Sequence, residues 1–411
     1  MASALARGLL VFAAIGLTAC AGRSNGDLIA LANADAPGAS KVEILVATTR
    51  AATAEPPGAM FSGERARGLA FADIVVSIPP DAQRKVGEVQ WPSAPPGDPA
   101  HDFVTLRADR LDLKEAIARF DTRLAASPQR HVLLFVHGYN TRFDEAVYRF
   151  AQIVHDSGAP ITPLLFTWPS RGRLFDYVYD RDSATYSRDA LEAVLDALAK
   201  DQKVASVSVL AHSMGNMLLV ESLRQMAIRH GAISPKIKDI MLASPDIDVD
   251  VFRRQIASIE QNDKTPPVTL FVSQDDRALG VSRWIAGDAP RLGAIDPTAE
   301  PYRSILEEAH VHVVDLTKIA SDDSLNHGKF AESEVVRAIG DRLAAGQTLT
   351  DARLSLGERV GAVALGATAT VGKAATLAVS APLAVIDPQT RETLSDQAAG
   401  LGPSVATTPA Q

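Results

Sequence analysis

Residues Val204 to Gly215, VASVSVLAHSMG, restrict what this chain can fold into more than any other stretch. A β-branched apolar run leads into Ala211, His212, Ser213, Met214 and Gly215, and NMLLVESLRQMAIRH then resumes at helical spacing. The pattern is strand, sharp turn, helix, with a serine at the turn. A serine placed there is held clear of the sheet's C-terminal edge, and the Met214 amide and the helix N-terminus both face developing negative charge. The plainer account makes Ser213 a helix N-cap whose hydroxyl satisfies a free amide. AHSMG departs from GxSxG only at Ala211, where a methyl group stands in a crowded turn.

The flanking chain supplies the sheet. Continuous apolar runs at His131 to Val136, Pro163 to Trp168, Ile237 to Ala243, Val268 to Val272 and Val311 to Leu316 suit strands buried on both faces. Helical patterns separate them, after Thr141, over Ser187 to Ala199, after the serine turn, and over Glu332 to Ala344. Alternation of this kind specifies an α/β fold with a doubly wound, mostly parallel sheet. Upstream, Val42 to Thr49, Phe71 to Ile78 and Phe103 to Leu106 read as an antiparallel edge, followed by a helix over Asp112 to Ala125. Gly280 to Pro301 has apolar residues without a clear period and is expected to form a cap over the site. The main domain is expected over 41–345.

The N-terminus reads as a targeting segment over 1–19. Arg7 supplies charge, Gly8 to Gly16 a short apolar core, and Leu17, Thr18, Ala19 and Cys20 follow. LTAC resembles a bacterial lipobox, which would make Cys20 the acylated first residue of a lipoprotein; the alternative is an ordinary signal peptide with a chance cysteine. Cys20 is the one cysteine, so no intramolecular disulfide forms. Ala21 after it favours delivery to an outer membrane, facing the periplasm, with 20–40 as a tether. A net charge of −8 and the lack of a basic block oppose nucleic-acid binding. The tail from 346 to 411 is rich in Ala and Gly; Val360 to Val385 is long enough to span a bilayer, but Lys373 makes a surface or docked helix the better expectation, with disorder from Gln389.

A serine hydroxyl needs a base, and the base needs an acid to hold its tautomer. Such folds place these in the order Ser, Asp or Glu, His. Asp276, at the end of a late strand, and His327, in the loop after the last strand, satisfy that order; Asp275 and Asp246 are rival acids. His212 adjoins Ser213 in a turn that sends neighbours apart, and His137 precedes the serine. His310 and His312 are expected on one strand face, but no third ligand at telling spacing joins them, so no metal is expected. The loop His137, Gly138, Tyr139, Asn140 follows a strand end, so the amide of Tyr139 or Asn140 is expected to join that of Met214 as an oxyanion hole.

With HGYNTRFDEA, FTWPSRG, VLAHSMGN, ASPDID, SQDDRAL and LNHGKF in that order, the chain resembles the α/β-hydrolase superfamily. The resemblance is closer to a bacterial esterase or lipase-like branch known as domain of unknown function 900. It implies Ser213 as nucleophile, His327 as base, an acid placed at Asp276, and no cofactor. The expected protein is a lipid-anchored serine hydrolase of a small-molecule or lipid ester, held to the membrane through Cys20. A noncatalytic envelope lipoprotein of the same fold, or an acyltransferase with the same triad, are the alternatives.

Overall fold

The computed structural model describes residues 28–54, 59–259 and 266–344. The signal segment, Cys20 and the tail lie outside the described residues. Nine strands form one sheet in the order β3-β2-β1-β5-β4-β6-β7-β8-β9. They are β1 (Ser40–Ala52), β2 (Phe61–Ile78), β3 (Val104–Leu111), β4 (His131–Val136), β5 (Thr162–Thr167), β6 (Ser206–His212), β7 (Ile237–Ala243), β8 (Val268–Val272) and β9 (Val311–Asp315). Every pairing from β1 onward to β9 is parallel, while β2 runs antiparallel to β1 and β3. The expected antiparallel edge is present, with β2 beginning ten residues earlier than its apolar run suggested. Its first half, SGERARG, is too polar to read as a strand and is held by pairing to β1 through Arg50 and Ala52.

The helices are α1 (Leu113–Ala126), α2 (Phe143–Ser157), α3 (Tyr177–Lys200), α4 (Met214–His230), α5 (Val249–Ile259), α6 (Arg277–Ile285), α7 (Tyr302–Glu308) and α8 (Ser333–Ala344). Two cores lie on the two sheet faces. One gathers Phe120, Leu191, Leu218 and Phe252 from α1, α3, α4 and α5; the other gathers Val147, Phe150, Val335 and Ile339 from α2 and α8. Burial on both faces is why β4 to β9 read as unbroken apolar runs. A reciprocal cap between Asp112 and Glu115 starts α1.

Three expectations change. Helix α3 begins ten residues before its apolar pattern, because its first half turns Asp180, Ser183 and Ser187 inward, and a polar inner face hides the period. Leu292 and Ile295 are buried in the main core, and Gly293 packs so closely on Ser244 that an added Cβ would lie 2.5 Å from its carbonyl carbon. The second half of the stretch expected as a cap is thus part of the domain wall, while Trp284 and Ile285 in its first half are exposed. Leu28 and Ile29 are 1% and 2% exposed, so residues of the expected tether belong to the core.

Strand β4 lies between β5 and β6, so consecutive units leave it in opposite directions. The loop after β4 and the turn after β6 therefore meet at the switch point of the sheet, outside its carboxyl edge, where such folds bind ligands.

Candidate active site

Ser213 has φ 53° and ψ −124°, a backbone conformation costly for any residue with a Cβ. It occupies the N-cap position of α4, yet its side chain makes no capping hydrogen bond. The strained turn is what the N-cap account fails to explain. The turn is braced on all sides: Ser213 N–H donates to Ala243 O at 3.0 Å, and Asn216 Nδ2 donates to the carbonyls of Ser213 (3.0 Å) and Ala243 (2.9 Å). Its small neighbours are a steric requirement. A Cβ on Gly215 would sit 2.3 Å from His137 O, and one on Gly138 would sit 2.8 Å from Ser213 Cβ. Ala211 is fully buried in β6, so the departure from glycine is accommodated within the strand.

His327 and Asp276 are brought together across 51 residues of sequence. His327 Nδ1 donates to Asp276 Oδ2 at 2.7 Å, leaving Nε2 as the remaining ring nitrogen. Asp276 Oδ1 accepts the Leu279 amide at 3.0 Å, so the carboxylate also caps α6 and is fixed by it. Asp323 Oδ2 accepts the amides of His327 (2.8 Å) and Gly328 (2.9 Å), which sets the loop. Burial works against the imidazolium, but the Asp276 charge and hydrogen bond outweigh it, and the His327 pKa is raised above its ordinary 6.5.

The rival acids are occupied elsewhere. Asp275 forms an ion pair with the buried Lys329 (2.8 and 2.9 Å) and accepts from Ser273 at 2.5 Å and Asn326 at 2.9 Å. Asp246 accepts from Tyr177 at 2.9 Å and Ser282 at 2.5 Å, with Arg291 Nε 3.3 Å away. Its amide donates to Ser213 O at 3.2 Å, so it stands beside the serine turn without touching His327 by hydrogen bond.

The other histidines also find their places. His212 Nε2 lies 3.2 Å from His327 O, and its ring stacks on Phe330 at 4.5 Å. Burial and the neighbouring His327 push its pKa well below 6.5. His137 stacks on Trp168 at 4.9 Å, and its Nε2 accepts the Trp168 amide at 3.1 Å. Burial, then Arg50, holds it neutral. His310 lies outside β9 with φ 46°, so it does not share a strand face with His312 as expected.

The oxyanion loop needs one correction. The Asn140 amide donates to Asp180 Oδ2 at 3.2 Å, so it is turned away from the serine. Tyr139 remains the candidate in this loop, and Met214, first residue of α4, has an amide with no intrahelical acceptor. Asp180 was not legible as a site residue. It also accepts from Ser170 Oγ (2.5 Å) and the Arg171 amide (3.0 Å), while Ser170 accepts the Thr141 amide (3.0 Å). Arg50, wholly buried, donates to Thr141 O and Ser170 O at 2.8 Å each. Burial lowers its pKa to about 10, which still leaves it charged.

A mostly parallel sheet with this serine turn after β6, and with aspartate and histidine following in order, defines an α/β hydrolase. Residues 113–344 match the model of a family described as alpha/beta hydrolase of unknown function (DUF900), and the chain belongs to that family. It is 24% identical over 132 residues to uncharacterized protein alr1448 of Nostoc sp., a match covering 26% of this chain and 34% of that protein. The match thus spans about a third of the length of that curated relative. A solved Pyrobaculum calidifontis esterase (monoclinic form) shares 12% identity over 57% of this chain and 94% of its own, with a TM-score of 0.29, too low to equate the two folds.

Proposed function

We propose that the protein is a serine hydrolase of carboxylic esters that works through an acyl-enzyme on Ser213. The observation that carries this reading is the 2.7 Å Nδ1 to Oδ2 bond of His327 and Asp276, formed in a domain whose Ser213 sits uncapped on a strained turn. His327 Nε2 takes the Ser213 proton as Oγ attacks the ester carbonyl, and the imidazolium is stabilised by Asp276. The oxyanion faces the amides of Met214 and Tyr139, each contributing about 3 kcal/mol if it behaves like measured donors. The tetrahedral intermediate collapses as His327 returns the proton to the departing alcohol. Water, deprotonated by the same nitrogen, then releases the acid and regenerates Ser213. The chemistry calls on no cofactor.

We further propose that Cys20 is acylated and tethers the domain to a membrane facing the periplasm. Fluorophosphonate labelling tests the first proposal: the wild type should label and Ser213→Ala should not, and labelling that survives the substitution overturns it. Metabolic fatty-acid labelling tests the second: Cys20→Ser should stay unlabelled, and equal incorporation removes the anchor.

A further inference from the structure

Three successive peptide groups in the loop after β4 are each held by a side chain. His137 Nδ1 lies 2.9 Å from Gly138 O, and its Nε2 accepts the Trp168 amide at 3.1 Å, so the ring proton sits on Nδ1 and is donated to Gly138 O. In a trans peptide the N–H points opposite to the C=O, so this bond sets the direction of the Tyr139 amide. The next peptide is gripped at both ends: Tyr139 O accepts from Thr141 Oγ1 at 3.1 Å, and the Asn140 amide donates to Asp180 Oδ2 at 3.2 Å. The third sends the Thr141 amide to Ser170 Oγ at 3.0 Å.

Asp180 stands behind two of these three. Its Oδ2 accepts the Ser170 hydroxyl at 2.5 Å, which leaves the lone pairs of Ser170 Oγ to receive the Thr141 amide. Two consecutive amides thus converge on one carboxylate and its hydroxyl partner. Between them Asn140 has φ 56°, the left-handed conformation that shapes a backbone nest for an anion. The fully buried Asp180 supplies that anion, and its Oδ1 is fixed in turn by the Arg171 amide at 3.0 Å. Arg50 closes the arrangement by donating to Thr141 O and Ser170 O at 2.8 Å each. Asp180 also lies in the first turn of α3, where an acid complements the helix dipole. The dipole asks only for a negative charge, and does not account for contacts to a loop 40 residues away.

We propose that Asp180 is a positioning residue of the oxyanion hole: by holding the Asn140 amide it commits the loop to presenting the Tyr139 amide to the oxyanion, and through Ser170 it locks the turn that follows. The role rests on the hydrolase reading above. Without Asp180 the peptide between Tyr139 and Asn140 can rotate and Asn140 can leave the left-handed region, so the hole has to be assembled in each turnover. Loss of one preorganised donor slows kcat by about 10²–10³. The oxyanion exists only once Ser213 Oγ has bonded to the carbonyl carbon and its proton has passed to His327 Nε2. The loss therefore falls on kcat and leaves KM near its wild-type value.

Asp180→Ala and Ser170→Ala test this in the full chain, with kcat counted per Ser213 titrated to completion by a fluorophosphonate, so that misfolded molecules drop out. On soluble 4-nitrophenyl acetate, Asp180→Ala should lose about a hundredfold in kcat and Ser170→Ala about tenfold, with KM within threefold and the acid limb of the pH profile unmoved. A trifluoromethyl ketone, which Ser213 attacks to form a stable tetrahedral oxyanion, should bind Asp180→Ala more weakly by a factor close to the loss in kcat. If Asp180→Ala yields no titratable serine, Ser170→Ala carries the same comparison. Turnover per site within threefold of wild type, or a loss confined to KM or to the titrated fraction, overturns the positioning role while wild-type turnover that Ser213→Ala abolishes keeps the hydrolase reading. A wild type without Ser213-dependent turnover overturns both.

Discussion

Replacing Asp276 by asparagine separates the candidate acid from its two rivals, because the side chain holds two different groups at once. Oδ2 accepts from His327 Nδ1 at 2.7 Å and Oδ1 from the Leu279 amide at 3.0 Å. Asparagine keeps the shape but has one acceptor. If its oxygen stays on Leu279, its NH2 faces Nδ1, which must then be unprotonated. The proton moves to Nε2, and the ring can no longer take one from Ser213. If the amide flips, the cap on α6 is lost at about 1 kcal/mol and NH2 meets a backbone N–H. The first arrangement predicts a rate loss of about 10⁴, the size seen for the same change in a measured triad. That corresponds to about 5.5 kcal/mol of barrier. Loss of a charged hydrogen bond adds about 1.5–3 kcal/mol of instability, too little to unfold a typical domain. Fluorophosphonate labelling rates together with urea midpoints give both numbers. If Asp276→Asn labels within tenfold of wild type while Asp246→Asn is dead, the acid is Asp246 and the reasoning fails.

Further outcomes follow from the same geometry. Asp275→Asn should leave the labelling rate within a few-fold but lower stability by roughly 1–3 kcal/mol, less than a fully buried pair because Asp275 is 41% exposed; a rate loss as large as that of Asp276→Asn contradicts this. Gly138→Ala places a methyl 2.8 Å from Ser213 Cβ and 2.9 Å from His212 Nδ1, so labelling should fall at least a hundredfold, and an unaffected rate would show the loop free to move. The pH profile of kcat/KM should have an acid limb centred above 6.5, since His327 must be neutral to act and its pKa is raised; a midpoint below 6.5 refutes that role. His131, His137 and His212 have lowered folded pKa values, His131 about 4 through burial. The unfolded chain then binds more protons below 6.5, so stability falls as pH drops from 6.5 toward 4, His131 contributing up to about 3 kcal/mol. Urea midpoints against pH, with and without His131→Phe, measure that share, and an unchanged slope in the variant removes it.

Much of the fold is legible because its information is local. Runs such as HVLLFV and VSVLAH announce strands covered on both faces, and small residues around Ser213 announce a turn that admits nothing larger. What was hidden depends on groups far apart in the chain. The first half of α3 escapes notice because its inward residues are polar: Ser187 Oγ meets Thr49 at 2.8 Å and Ser183 accepts from Arg65 at 2.9 Å. Asp180 looks like a surface carboxylate until the fold sets it against the amides of Asn140 and Arg171.

From the sequence alone come the doubly wound sheet, the serine at its sharpest turn, and the order of aspartate and histidine behind it. These follow from side-chain periodicity and turn chemistry, which operate over a few residues. The tertiary structure alone gave Asp275 and Asp276 different partners. Adjacent residues at the end of β8 send their carboxylates apart, one to Lys329 and the other to His327. It alone turned the Asn140 amide to Asp180 and bound Leu28 beside α2. Partners of that kind are chosen by the packing of the sheet's edge, and no local pattern encodes which distant group will arrive there.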